Sequence, residues 1–294
     1  GHYSYINIKN LPDRSVSNPL VITNYGGQVR VGAAGHYYLF SIGGGSNWIL
    51  TGRWDCESQT GHQDYPGHDG NNYDNTTGTY GFFIDDEFIS GSVSGLAVGG
   101  GATDFELEFI EIYRVGFAGL MLKTNNDGTA TMSNVKVHDL YIHDTDSEGM
   151  YIGSTGSQPQ HKFKALEIYN NRILRTGTEL IQVGQVGGDS EIYNNVFMMG
   201  ALDWKDPFSK SYQDNSSQFA PREGNLSVHH NIFIGGADNI INLHPMDITG
   251  DVYQPGDTVH FYENYYSHGR YRGAYLGNFT PNGFVQNELI IRFE

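Results

Sequence analysis

Ile168-Tyr-Asn-Asn-Arg-Ile173, Ile192-Tyr-Asn-Asn-Val-Phe197, Val228-His-His-Asn-Ile-Phe233 and Phe261-Tyr-Glu-Asn-Tyr-Tyr266 are four copies of one phrase. Each closes its polar part on an asparagine: Asn171, Asn195, Asn231, Asn264. The interval is roughly 24 to 36 residues, a period that marks one supersecondary unit stacked on the next. Because each unit reads as short strands, the stack is expected to be a β-solenoid. Four equivalent asparagines predict an internal amide ladder, since the side chain tolerates left-handed backbone and can bond to its copies above and below.

Outward from the phrase, two kinds of strand alternate. The first reads Phe105-Glu-Leu-Glu-Phe-Ile-Glu-Ile112, Val135-Lys-Val-His-Asp-Leu-Tyr-Ile142, Leu166-Glu-Ile-Tyr169, Ser190-Glu-Ile-Tyr193, Leu226-Ser-Val-His229 and Val259-His-Phe-Tyr262. The second follows a glycine- or acid-rich corner: Tyr80-Gly-Phe-Phe-Ile84, Gly119-Leu-Met-Leu-Lys123, Gly149-Met-Tyr-Ile-Gly153, Leu180-Ile-Gln-Val-Gly184, Asn239-Ile-Ile-Asn-Leu-His244 and Gly273-Ala-Tyr-Leu-Gly277. Both alternate with period two, as half-buried strands do, and helical periodicity is absent. Two excursions break the rhythm, residues 52–79 and 201–225, and both are expected to wall the same side of the stack.

The 294 residues suit one elongated domain, 1–294. Glycine at 39 with proline at 9 fits many tight corners, and 20 Tyr with 16 Phe argue against disorder. A formal charge of −16 excludes a phosphate-backbone partner such as nucleic acid and slows polyuronates unless a cation intervenes. The single cysteine, Cys56, forbids an internal disulfide. No run approaches the ~18 apolar residues of a membrane span. The chain opens on Gly1 as a strand and closes as one, so neighbouring domains of a longer polypeptide are expected to cap its ends.

The Asn-Asn-x-Ile/Phe phrase resembles the coil repeat of the pectin-lyase-like superfamily of right-handed parallel β-helices. Gly1-His-Tyr-Ser-Tyr-Ile-Asn-Ile-Lys-Asn-Leu11, Pro19-Leu-Val-Ile-Thr-Asn-Tyr-Gly-Gly-Gln-Val29, Gly116-Phe-Ala-Gly-Leu-Met-Leu-Lys-Thr124 and Glu148-Gly-Met-Tyr-Ile-Gly-Ser154 are similar to a group in large secreted or surface proteins of Bacteroidota. The resemblance implies an all-β, right-handed parallel β-helix, secreted or cell-surface, in a superfamily whose members include polysaccharide lyases, glycoside hydrolases, carbohydrate esterases, phage tailspikes and adhesion modules. No catalytic motif of one enzyme family maps onto this chain, and a fold alone does not specify an activity.

Aligning the second strands by their apolar residues turns Met121, Tyr151, Gln182, Asn242 and Tyr275 outward in one row. Lys123, Gly153, Gly184, His244 and Gly277 form a second, which Asp85 extends. Tyr151 and Tyr275 suit the faces of sugar rings, whereas Gln182, Gln185 and Asn242 suit hydroxyls; Trp204 is the aromatic candidate on the second excursion. The glycines would let a polymer approach the backbone. A lyase needs a base, for which Lys123, Tyr151 and His244 qualify, and a cation such as Ca²⁺ against the uronate carboxylate. Asp144 and Asp146, with Glu148, offer the hard oxygens that Ca²⁺ prefers. A hydrolase needs two carboxylates, for which Glu148 and Asp85 or Asp86 qualify. His62, Asp64, His68 and Asp69 resemble a transition-metal set, but their spacing is irregular and a solvated polar loop is the better reading. Two functions follow: a polysaccharide-binding β-helix that also cleaves, by elimination or hydrolysis, or a non-catalytic adhesion or spacer module.

Overall fold

In the computed structural model of the chain, the described residues are 1–25, 27–33, 35–55, 60–61, 80–86, 92–124, 127–153, 161–202, 215–221, 223–243, 256–276 and 289–294. They contain strands, turns and bends but no helix, and none long and apolar enough to cross a membrane. All strand pairings but one are parallel, and each strand pairs with its counterpart a full repeat away. The exception is the short antiparallel pair Trp54–Asp55 with Thr60–Gly61.

The strands form three ladders of nine, so one circuit of the chain contributes one strand to each face. The groove face runs Ile6–Ile8, Tyr38–Gly43, Ser94–Gly99, Leu120–Leu122, Met150–Ile152, Ile181–Val186, Ser217–Pro221, Asn239–Leu243 and Arg272–Leu276. The ladder face includes Thr103–Glu108, Thr131–His138, Lys162–Tyr169, Ser190–Tyr193, Leu226–His229 and Asp257–Tyr262. The third face includes Phe82–Asp85, Ile110–Tyr113, Tyr141–Thr145, Arg172–Thr176, Val196–Met198 and Ile232–Ile234. This is a parallel β-helix, with the right-handed sense that crossovers between parallel strands take.

Alternation decides what lies inside. Leu120, Leu122, Met150, Ile152, Ile181, Val183, Ile241 and Leu243 are all buried, as the period-two reading requires. Ala274 and Leu276, expected inside, are exposed; among the described residues they lie on the last groove strand, with none paired beyond it. The interior is lined with like-on-like columns, such as Trp48 stacked on Phe105 at 4.6 Å and Phe197 on Phe233 at 4.9 Å.

The asparagine ladder is present. The Nδ2 of Asn171 donates to Asn195 Oδ1 at 3.0 Å, Asn195 to Asn231 at 2.9 Å, and Asn231 to Asn264 at 2.9 Å. Each Oδ1 also accepts the backbone N–H of the residue one coil back, beginning with Leu140 on Asn171. Buried corner amides are thereby satisfied by side chains, which is why the position repeats. Left-handed geometry falls one residue earlier than expected, on Asn170, Asn194, His230 and Glu263, with φ of 52–56°. The ladder asparagines are fixed by their hydrogen bonds, and the tolerant backbone belongs to their predecessors.

Two expectations change. Residues 201–225 are not loop throughout: Ser217–Pro221 is a full groove strand, paired on both sides. Asp85 does not extend the second groove row. It ends a strand of the third face, opposite Tyr113, where Arg114 holds its carboxylate at 2.8 Å. The strand Phe82–Asp85 has the alternation of a groove strand, but its partners assign it elsewhere. Most of 52–79 and residues 203–214 lie outside the described residues, including Cys56, the His62–Asp69 set and Trp204.

Candidate functional site

Register lines up one outward position on all nine groove strands: Asn7, Ser41, Ala97, Met121, Tyr151, Gln182, Gln218, Asn242, Tyr275. Eight spacings between parallel strands make the row about 38 Å long. The expected residues Tyr151, Gln182, Asn242 and Tyr275 thus share one line. Gln218 is the member that sequence reasoning missed. A signal was available, because the step from Gln182 to Asn242 is about twice its neighbours and implies an uncounted coil.

The row changes character along its length. Its N-terminal part borders a depression of ≈ 350 Å³, lined in part by Asn7, Lys9, Tyr38, Ser41, Met121 and Lys123. In the middle Gln182, Gln218 and Asn242 are buried, and Asn242 Oδ1 has no hydrogen-bond partner among the described residues. Tyr275 at the C-terminal end is 38% exposed, with the Arg272 guanidinium 5.1 Å from its ring. Gln185 is buried and lies at a register shift between Gly184 and Val186, with φ of 63°. His244 lies outside the described residues, so its place beside Asn242 is not part of this geometry.

Lys123 sits beside Tyr151, its Nζ 5.3 Å from the ring centroid. Burial lowers the pKa of this ammonium, because the charged form loses hydration that no carboxylate replaces. The glycines of the second row have a cause other than ligand access. A Cβ on Gly99 would lie 2.4 Å from the Lys123 carbonyl oxygen, and one on Gly153 2.2 Å from that of Gly184. Gly153 also has φ of +71°. The floor is bare because neighbouring coils crowd it.

No strand of the groove face contains an aspartate or glutamate, although the chain has 33. Its basic residues are Arg272 on the last strand and, immediately after two others, Lys9 and Lys123. The strands of this face therefore add no carboxylate of their own to the repulsion of anionic ligands that the net charge implies.

Acids gather elsewhere. Glu148 stands at the corner before Met150–Ile152, 3% exposed; burial raises its pKa, and its Oε2 has no hydrogen-bond partner among the described residues. The backbone places it one coil from Glu179, which is fully buried, since the Gly149 N–H bonds the Glu179 carbonyl. Asp144 and Asp146 are not gathered with it into a cation site. Both Asp144 oxygens accept from Arg175 at 2.7 Å, which holds this carboxyl below its usual range, and Asp146 is exposed. A guanidinium in that position opposes Ca²⁺.

The ladder face holds a column of stacked rings: His138 on Tyr169 at 4.4 Å, Tyr169 on Tyr193 at 5.0 Å, Tyr193 on His229 at 5.2 Å, His229 on Tyr262 at 4.7 Å. Their faces cover one another and only edges remain for a ligand, so the column binds coil to coil rather than sugar. At its N-terminal end His138 donates to Asp139 and Glu106. Burial favours the neutral ring, but these hydrogen bonds outweigh it and push the pKa up to about 9. No motif in the sequence announces this cluster.

The chain matches no protein-family model and none of the curated proteins. Among solved structures it is similar to an alginate lyase from Paenibacillus, at 15% identity over 94% of this chain and 91% of that one, with a TM-score of 0.48. It is also similar to the enzymatically active domain of tailspike protein 2 of bacteriophage CBA120, at 10% identity and a TM-score of 0.45, covering 99% of this chain but only 41% of that one. A third is the A-module of a mannuronan C-5 epimerase from Azotobacter vinelandii, at 13% identity over 96% and 83% of the two chains, with a TM-score of 0.33. Three parallel ladders around a stacked core and an asparagine column give this chain the parallel β-helix architecture that its resemblance to the pectin-lyase-like superfamily implies.

Proposed function

We propose that the groove face binds a polysaccharide lying along the helix axis, and that the protein does so outside the cell. One observation carries the binding reading: nine aligned strands without a carboxylate, in a chain of charge −16, whose outward row sets three amides between two tyrosines. A plain solvated sheet face carries lysine, glutamate and threonine; amides and aromatic rings are what hydroxyls and pyranose faces require. The rise per coil repeats the same contacts at each step, which suits a polymer. The extracellular placement rests on the resemblance to large secreted and surface proteins.

The test is retention of the purified chain on neutral and uronic polysaccharides, with and without Ca²⁺, compared with Tyr151→Ala and Gln218→Ala. Retention on at least one glycan, weakened about tenfold or more in both variants, supports the groove. Retention unchanged in both, or none on any glycan, overturns it and leaves a structural spacer.

A second reading, that the groove also cleaves by elimination, is favoured by the Lys123–Tyr151 pair. Burial favours the neutral form of the Lys123 amine, which is the form that acts as a base. In that scheme Nζ takes the proton beside the uronate carboxyl group, and the bond from C4 to the glycosidic oxygen breaks. A double bond forms between C4 and C5, and the Tyr151 hydroxyl gives its proton to the departing oxygen. The product absorbs in the ultraviolet. A rise in absorbance that increases with pH and disappears in Lys123→Met supports cleavage; retention without absorbance or new reducing ends leaves a binding module.

A further inference from the structure

On the ladder face, away from the groove row, two carboxylates and an imidazole from neighbouring coils point at one another. Glu106 and Glu108 lie on Thr103–Glu108, and His138 ends the adjacent strand, directly opposite Glu108. Nε2 of His138 is 2.9 Å from Glu106 Oε1 and 3.8 Å from Glu108 Oε2. One ligand atom from each of the three residues lies within 4.8 Å of the others, a condition no other described trio of His, Cys, Asp or Glu meets. Two donors on a tetrahedral ion with bonds of ~2.0 Å are about 3.3 Å apart, and the two measured distances straddle that value.

Three details distinguish this trio from an ordinary ion-pair network. First, the other ring nitrogen, Nδ1, is held by Asp139 Oδ2 at 2.7 Å, the carboxylate–histidine arrangement that orients a ligating imidazole. Second, Glu108 is 4% exposed, and its Oε2 has no hydrogen-bond partner among the described residues, although the carboxyl group is engaged by Thr51, faces His138 and lies 3.3 Å from Arg53 Nε. Third, His143 provides a comparison within the same coil. Its Nδ1 is 2.6 Å from Asp144 and its Nε2 3.2 Å from Glu111, but Arg175 closes that network, with Nη2 3.5 Å from the ring and two bonds to Asp144. Around His138 a second carboxylate, Glu108, faces Nε2, and Arg53 pairs with that carboxylate.

We propose that Glu106, Glu108 and His138 bind a divalent transition metal of the zinc class, with Asp139 orienting the imidazole and water completing the coordination. A mixed nitrogen and oxygen set suits zinc, whereas Ca²⁺ takes oxygen alone. On binding, the proton between Nε2 and Glu106 leaves to solvent. The ion then ties two successive coils together where the stacked ring column begins. Arg53 is the competing cation: it spans Glu108 and the Phe109 ring, 4.5 Å from the centroid, and is partly exposed, so it can turn outward. Lys136 and Glu167 complete the charged surroundings of Glu106. The site is independent of the polysaccharide reading.

The full chain is stripped with a chelator, dialysed against Zn²⁺ and assayed for metal content, melting temperature and X-ray absorption. Wild type is expected to hold one zinc more per chain than Glu108→Gln, with a nitrogen and oxygen shell. Its melting point should rise with Zn²⁺ concentration and not with Ca²⁺. Glu106→Gln is expected to weaken zinc at least tenfold, and Arg53→Gln to tighten it. His138→Gln removes the partner of buried carboxylates and endangers folding, so Glu108→Gln is the decisive variant. Equal zinc and equal thermal shifts in wild type and Glu108→Gln, or a sulfur shell, overturn the site.

Discussion

The groove face and the ladder face are built from the same number of strands in the same coils, yet they differ in two respects. The groove strands contain no carboxylate, whereas the ladder strands carry Asp104, Glu106, Glu108, Glu167, Glu191 and Asp257. The groove ends on Tyr275, whose ring is partly exposed, whereas Tyr169 and Tyr193 on the ladder face stack with a ring on either side. Net charge and aromatic content, taken over the chain, average two surfaces with opposite aptitudes. Aromatic residues one coil apart hold the fold when their faces meet; separated by amides, they remain available to a ligand.

Five variants test that contrast. The largest expected effect comes from giving the groove the charge it lacks. Gln182→Glu with Gln218→Glu places two carboxylates one coil apart, and is expected to reduce retention of a uronic polysaccharide about a hundredfold, worth about 2.7 kcal/mol. Glu191→Gln on the ladder face, made as the control, should change retention by less than about twofold. If both changes act alike, the asymmetry of charge has no bearing on binding.

Next in size, Tyr193→Ala removes a ring stacked on Tyr169 and His229. A stability loss of about 2 kcal/mol is expected in denaturant unfolding, with glycan retention preserved. Tyr151→Ala should show the reverse: about tenfold weaker retention and a melting point within a few degrees of wild type. Exchanged outcomes would reassign the two faces.

The smallest effect is a pH signature. Burial holds the folded-state pKa of Glu148 above its ordinary 4.5. The folded state is therefore favoured while this group is protonated, and that advantage is lost as pH rises from below 4.5 through the higher folded value. Glu148→Gln is expected to melt above wild type at neutral pH, with the difference closing below 4.5. A variant that melts lower at neutral pH would show that the ionised carboxylate has a stabilising partner.

The repeat phrase, the period-two alternation and the outward row were legible in the sequence, because each depends on spacing that a regular strand preserves. The Gln218 strand was hidden, since Ser216-Ser-Gln-Phe-Ala-Pro221 lacks β-branched residues and sits inside an excursion. Asp85 was misplaced for the converse reason: local alternation says that a strand is half-buried, not which of three faces it joins. The Glu106–Glu108–His138 trio was invisible, because its members meet only across coils.

By itself, then, the sequence determined the solenoid, the asparagine column and the positions that face inward, all consequences of backbone periodicity and apolar burial. Tertiary structure alone decided which strands share a face, which carboxylates a guanidinium engages and which imidazole meets two acids. Those outcomes depend on register between residues about a full coil apart, where contact is set by the stacking of coils rather than by position along the chain.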